Sequence, residues 1–159
     1  MTRARGRCFR GLRLIAPVPH GHWKTSTFVA GFRLDGITAP YVCDGAMNGA
    51  MFSNYVESML APTLSAGDVL VMDNVSTHKV SGIREAVEAR NAQLLYLPPY
   101  SPDLNPIENA FAKLKSMLRS AGQRTIDGLW SFLGRALDAF PTNECLNYFR
   151  HCGYAATAA

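Results

Sequence analysis

Asp73 and Glu108 are the residues of this chain with the most to say about chemistry. Asp73 closes the apolar run Val69-Leu70-Val71-Met72, and Glu108 ends the segment Tyr100-Ser101-Pro102-Asp103-Leu104-Asn105-Pro106-Ile107-Glu108, with 34 residues between the two acids. Carboxylates that the fold, rather than the local chain, brings together suit a hard divalent cation. Mg²⁺ or Mn²⁺ seeks acidic oxygens, and Mg²⁺ typically takes one or two carboxylates plus water and substrate phosphate. Two such ions about 3.5–4 Å apart activate an attacking oxygen and stabilise a leaving one in phosphodiester cleavage. Two ions call for more than two carboxylates, so a third acid is to be sought. Each acid also has a plainer use. Asp73 fits a strand end entering a turn. Asn105-Pro106-Ile107-Glu108 has the layout of an N-cap, a proline at the first helical position and a capping-box acid.

The elements that must position these acids can be read from periodicity. Thr25 to Leu34 and Ile37 to Cys43 read as strands, and Asp35-Gly36 between them is a hairpin signal. Asn48 caps a helix with Phe52, Tyr55, Val56, Met59 and Leu60 on one face, ended by Pro62 and Gly67. Asp68 to Met72 has the four-residue apolar core of a strand buried on both faces. Ser76 or Thr77 is expected to cap a helix with Val80, Ile83 and Val87 inward. Gln93 to Leu97 is a second apolar strand, stopped by Pro98-Pro99. A strand, helix, strand unit predicts parallel neighbours, so Asp73 and Glu108 should emerge on one rim, where open α/β sheets bind ligands.

Downstream, Pro106 to Arg119 is helical, with Ile107, Phe111, Leu114 and Leu118 as the expected buried stripe. Glu108, Ala112, Lys115 and Arg119 form a second stripe about 100° round the same helix. Thr125 caps a helix with Ile126, Leu129, Trp130, Leu133, Leu137 and Phe140 inward, and Thr142 starts a last short one. We expect one domain over 1–159, a basic and poorly ordered start over 1–11, and C-terminal helices over 125–152.

Composition narrows the partners. The 159 residues are 48% hydrophobic, enough for a core, and no apolar run approaches the roughly 18 residues of a membrane span, so no membrane partner is expected. The net charge of +4 misleads as a whole-chain figure. Arg3, Arg5, Arg7, Arg10 and Arg13 supply it, and the remaining 11 basic residues face 12 acidic ones. That tail reads as a presequence, as a phosphate-contacting arm, or as a start inside a longer natural sequence. Cys8, Cys43, Cys145 and Cys152 lack paired metal spacing. Cys145 with His151-Cys152 hints at zinc, but core thiols in a reducing cytoplasm fit better. His20-Gly21-His22-Trp23-Lys24 is a loop with Trp23 packed down, or a phosphate and base contact.

Taken together, Val71-Met72-Asp73-Asn74 with His78, then Leu97-Pro98-Pro99-Tyr100-Ser101-Pro102-Asp103-Leu104-Asn105-Pro106-Ile107-Glu108, resemble the catalytic half of bacterial insertion-sequence transposases of the mariner superfamily. The resemblance runs from about Gly11 to the C-terminus. It implies a ribonuclease H-like α/β fold: a mixed sheet with an antiparallel hairpin and a parallel strand pair, flanked by helices. Asp73 would be the second catalytic acid and Glu108 the third of a DDE site, both binding Mg²⁺ or Mn²⁺, two ions when complete, for DNA strand cleavage and transfer at element ends and target. His78, Lys79, Lys113, Lys115, Arg119 and Lys24 are the expected DNA contacts. A bacterial cytoplasmic location, with the nucleoid when DNA is bound, goes with this.

One part of that pattern is missing. The family's first acid lies on an opening central strand, in a segment preceding anything like Arg10-Gly11-Leu12-Arg13, and Asp35, Asp44 and Asp103 are no convincing substitutes. The helix-turn-helix segments for end recognition are absent too. We therefore expect an N-terminally truncated product, or the downstream part of a frameshifted pair, inactive alone. Its partners would be DNA and a full-length transposase or an upstream-frame product. A non-catalytic interaction or regulatory module is the other reading, and a nuclease on RNA–DNA hybrids a third. Leu12 to Val18 could fill the vacant strand position, though Pro17 and Pro19 suit a central strand badly.

Overall fold

The chain is described by a computed structural model over residues 6–15 and 25–155. The Asp-Gly signal produces a hairpin of β1 (Ser26–Arg33) and β2 (Gly36–Asp44), paired antiparallel. The turn falls at Leu34-Asp35, and Gly36 opens β2 at φ 141°, a conformation that side chains rarely adopt. A bulge interrupts the ladder between Val29 and Gly31. A Cβ on Gly31 would sit 2.8 Å from Thr38 Cγ2, so glycine lets the two strands close there. Period-two alternation gives the hairpin two apolar faces. Val29, Ala39 and Tyr41 pack on one core, and Phe28, Phe32, Ile37 and Val42 pack on another.

The first core is built on α1 (Gly49–Tyr55), capped by Asn48, whose side chain accepts from the Met51 amide at 2.9 Å. The helix runs on through a π turn, Val56–Leu60, and a 3₁₀ turn, Ala61–Thr63. Phe52, Tyr55, Val56 and Leu60 are buried, as the spacing predicts, against Met72, Ile83, Val87 and Leu94. Tyr55 donates to the Ala39 carbonyl at 2.8 Å, and burial pushes its hydroxyl pKa up. Then come β3 (Val69–Met72), α2 (Ile83–Glu88) and β4 (Gln93–Tyr96), with β3 and β4 parallel in the register Val69↔Gln93 to Met72↔Tyr96.

The second core lies under α3 (Pro106–Ala121), α4 (Ile126–Ala136) and α5 (Thr142–His151). Ala110, Leu114, Leu118, Leu133, Ala136, Phe140 and Cys145 form it. Thr125 caps α4, accepting from the Gly128 amide at 3.0 Å. Cys43, Cys145 and Cys152 are buried free thiols and Cys8 is exposed. Among the described residues no three metal-ligating side chains cluster, so the zinc hint finds no support.

Several expectations need correcting. The strand run 69–72 is not buried on both faces: Val69 is 50% exposed and only Met72 is buried. The reason is topological. Among the described residues β1–β2 and β3–β4 are separate two-stranded sheets, and no strand joins β1 to β3. Ser76 and Thr77 cap nothing, because Ser76–Lys79 is its own 3₁₀ turn. The next helix starts instead at Gly82, at φ 95°, whose amide donates to Glu85 Oε2 at 3.0 Å. On α3 the buried stripe is rotated to Pro106, Ala110, Leu114 and Leu118, leaving Ile107 and Phe111 half-buried. Trp130 is not inward: it is exposed, with Nε1 3.4 Å from Ser26 Oγ. Leu12 to Ile15 do not fill the gap between β1 and β3, since all of them lie exposed, and 16–18 fall outside the described residues.

Candidate active-site cleft

A cleft of about 460 Å³ lies between β1 and β3. Consecutive residues line it on both sides, 28–34 from the hairpin and 68–73 from the parallel pair. A strand presents alternate residues through a face and consecutive ones along an edge. The cleft is therefore bounded by two unpaired strand edges. Arg33 and Asp68 pin these edges together with a fork-on-fork pair, Nη1 to Oδ2 at 2.8 Å and Nη2 to Oδ1 at 3.2 Å. The guanidinium, and then the Ser65 amide, hold the Asp68 carboxyl below its ordinary range, and Arg33 is raised in turn.

Asp73 and Glu108 both line this cleft, with Asn105, Pro106, Ile107 and Phe111 of the α3 end. Asp73 arrives there because β3 ends at Met72. Glu108 arrives because Asn105 caps α3 and Pro106 fixes its first turn. The plainer capping use of Glu108 fails on inspection. A capping box needs the Asn105 amide, which instead donates to the Pro102 carbonyl at 3.1 Å. The Glu108 side chain is exposed at the rim.

Around Asp73 the polar atoms are unsettled. Asp73 Oδ1, Asn74 Oδ1 and His78 Nδ1 are the buried side-chain polar atoms that lack a hydrogen bond among the described residues. Asp73 Oδ1 and His78 Nδ1 lie in contact with each other. Native interiors leave few such groups unsatisfied, and each calls for a reason. The two carboxylates that line the cleft are hard-oxygen donors of the kind Mg²⁺ or Mn²⁺ takes.

The expected DNA contacts divide. Lys79, Lys115 and Arg119 are exposed. Lys113 is not available: its Nζ donates to the Ala139 carbonyl and to Glu144 Oε2, both at 2.6 Å, and sits 4.8 Å over the Phe140 ring. His78 is turned to Asp73, and Lys24 falls outside the described residues. One candidate escaped the sequence reading. Tyr100 is fully exposed at φ 57°, a backbone region unfavourable for a bulky residue. Pro98-Pro99 signalled a break there, but not an aromatic standing in solvent.

Comparison with known proteins agrees with this architecture. The family described as DDE superfamily endonuclease matches residues 1–129. The Tc1 transposable element transposase of Caenorhabditis elegans is 29% identical over 99 residues, 60% of this chain and 36% of that protein. In structure, the Mos1 strand transfer complex superposes with a TM-score of 0.71 at 19% identity, over 95% of this chain and 46% of that one. The Mos1 catalytic domain with Raltegravir and Mg gives 0.61 at 19% identity, over 81% and 74%. The chain thus spans about a third of the Tc1 transposase and under half of the Mos1 chain. The hairpin and parallel pair match the ribonuclease H-like catalytic domain of Mos1 in fold, as expected from the sequence. With the family matched over most of its length, this chain belongs to the DDE superfamily endonucleases.

Proposed function

We propose that the cleft is the catalytic groove of a DDE-type DNA transposase, for metal-dependent strand cleavage and strand transfer at element ends. One observation carries this reading: two carboxylates line one cleft, beside the orphaned polar atoms of residues 73–78. Asp73 and Glu108 would hold the divalent cations, which supply charge neutralisation at the attacking and leaving oxygens. Lys79, Lys115 and Arg119 would contact phosphates, and such contacts position DNA without reading its sequence. Tyr100 offers a stacking platform for an unpaired base. Support for the metal and the DNA comes from Mos1 structures solved with Mg or Mn and with left transposon-end DNA. The spacing of 34 between the acids supports a bacterial insertion-sequence origin, and with it a cytoplasmic location.

Two ions require a further acid, and among the described residues no third ligand joins the pair. We expect purified 1–159 to nick DNA poorly even with Mg²⁺. The direct test is a thermal-shift titration with Mn²⁺: cation-dependent stabilisation should vanish in Asp73→Asn and Glu108→Gln. Unchanged shifts in both variants would remove the metal from this cleft. Robust Mg²⁺-dependent nicking, abolished by Asp73→Ala, would show the site to be sufficient as it stands.

The cleft also favours a second reading, a non-catalytic module that engages an intact transposase. Paired unsatisfied strand edges are templates for strand addition. Co-purification with a full-length transposase that survives Glu108→Ala supports it, and loss of the effect with the acid counts against it.

A further inference from the structure

His78 was expected to meet DNA, yet its surroundings are those of a group that holds another in place. Its ring stacks on Phe52 at 4.2 Å between centroids and 26° between planes, and Phe52 is itself buried. Its backbone carbonyl accepts from the Tyr96 hydroxyl at 2.7 Å, which ties the 3₁₀ turn to the end of β4. Its Nδ1 lies against Asp73 Oδ1, and neither atom has another hydrogen-bond partner. The imidazole is thus fixed on one face, at its backbone and at one edge. Asp73 is unequally used in consequence. Its side chain is 46% exposed although Oδ1 is buried, so Oδ2 is the oxygen left open.

We infer that His78 is a positioning residue for Asp73: clamped by Phe52 and Tyr96, it donates from Nδ1 to Oδ1 and presents Oδ2 as a single-oxygen ligand for a divalent cation. This rests on the proposed metal site and deepens it. A neutral imidazole carrying its proton on Nδ1 suffices, because that nitrogen is then a donor. A carboxylate free to rotate about its last bond would be a poorer ligand. Partners of this kind set ligand orientation, and their loss typically costs about 10–100-fold in metal affinity.

The test is Mn²⁺ binding to the full chain, read by electron paramagnetic resonance, across variants that separate packing from donation. Asp73→Asn should abolish binding. His78→Phe keeps a ring against Phe52 but has no donor, and should weaken binding about 10-fold. His78→Asn places an amide N–H near the position of Nδ1 and should recover most of the loss. Nitrogen-15 spectra of the unaltered protein should show the Nδ1-protonated tautomer, a reading independent of whether any variant folds. Wild-type affinity in His78→Phe with loss in Asp73→Asn would overturn the positioning role and leave the metal site standing. An Nε2-protonated ring would overturn it as well. Binding undiminished in Asp73→Asn would overturn both.

Discussion

The helical layer and the cleft differ in how they treat polar atoms. Under α3, α4 and α5, Lys113 bridges the Ala139 carbonyl and Glu144, while Tyr148 donates to the same Glu144. That network is closed, and it surrounds fully packed Ala110 and Cys145. At the cleft, Asp73 Oδ1 and His78 Nδ1 have each other and no further partner among the described residues, Asn74 Oδ1 beside them has none, and Val69 and Leu95 stand half-exposed on the parallel pair. The first region pairs its polar side chains. The second holds groups in costly positions, which is where ligand chemistry is expected when a fold otherwise satisfies its polar atoms.

The largest effect should break the closed region. Phe140→Ala removes a side chain 4% exposed and is expected to cost about 3–5 kcal/mol in denaturant unfolding. Next, Lys113→Met leaves Glu144 with Tyr148 alone and takes the Ala139 carbonyl's side-chain donor, and should cost about 1–3 kcal/mol. DNA retention should be unaltered wherever that variant is folded, because the ammonium is already committed.

The pH dependence sharpens the same contrast. The Lys113 ammonium, then the Tyr148 hydroxyl, hold the Glu144 carboxyl below its ordinary value. A depressed carboxylate stabilises fully above its unfolded pKa, about 4.3, and loses that contribution as pH falls through the folded value. Glu144→Gln should therefore flatten the acid limb of thermal unfolding measured below about pH 4.5. Asp68 acts in the same direction at the cleft, through Arg33. Tyr148 is pushed up to about 12, first by burial and then by Glu144, so its proton stays on throughout.

Cleft substitutions should behave oppositely. Asp73→Asn is expected to leave the melting temperature nearly unchanged, since its side chain is half-exposed and His78 is the one group set against it among the described residues. The smallest effect is Tyr100→Gly. Relief of its φ of 57° should offset the entropic cost of glycine, leaving stability within about 1 kcal/mol. If Tyr100 stacks on a base, single-stranded DNA binding should nevertheless fall in a fluorescence assay.

Some features were legible because their causes are local. Asp35-Gly36 forces a hairpin, Asn48, Asn105 and Thr125 cap helices with their own oxygens, and the spacing of Phe52, Tyr55, Val56 and Leu60 fixes a buried face. The order of strand, helix and strand gave the parallel pair and sent Asp73 and Glu108 to one rim. Periodicity failed where burial depends on a neighbour that periodicity cannot see. Val69, Phe111 and Trp130 have apolar side chains at inward spacings, yet each borders open space or an edge.

The amino-acid order alone marked which residues are candidate metal ligands and which elements carry them, because caps, turns and apolar spacing act over a few bonds. Tertiary structure decided the partners. Only the fold spends Lys113 on Glu144 and sets the His78 ring over a Phe52 ring 26 positions earlier in the chain. The Lys113–Glu144 and Phe52–His78 contacts join segments that are distant in sequence, and there the partner is settled by whichever group packing brings closest.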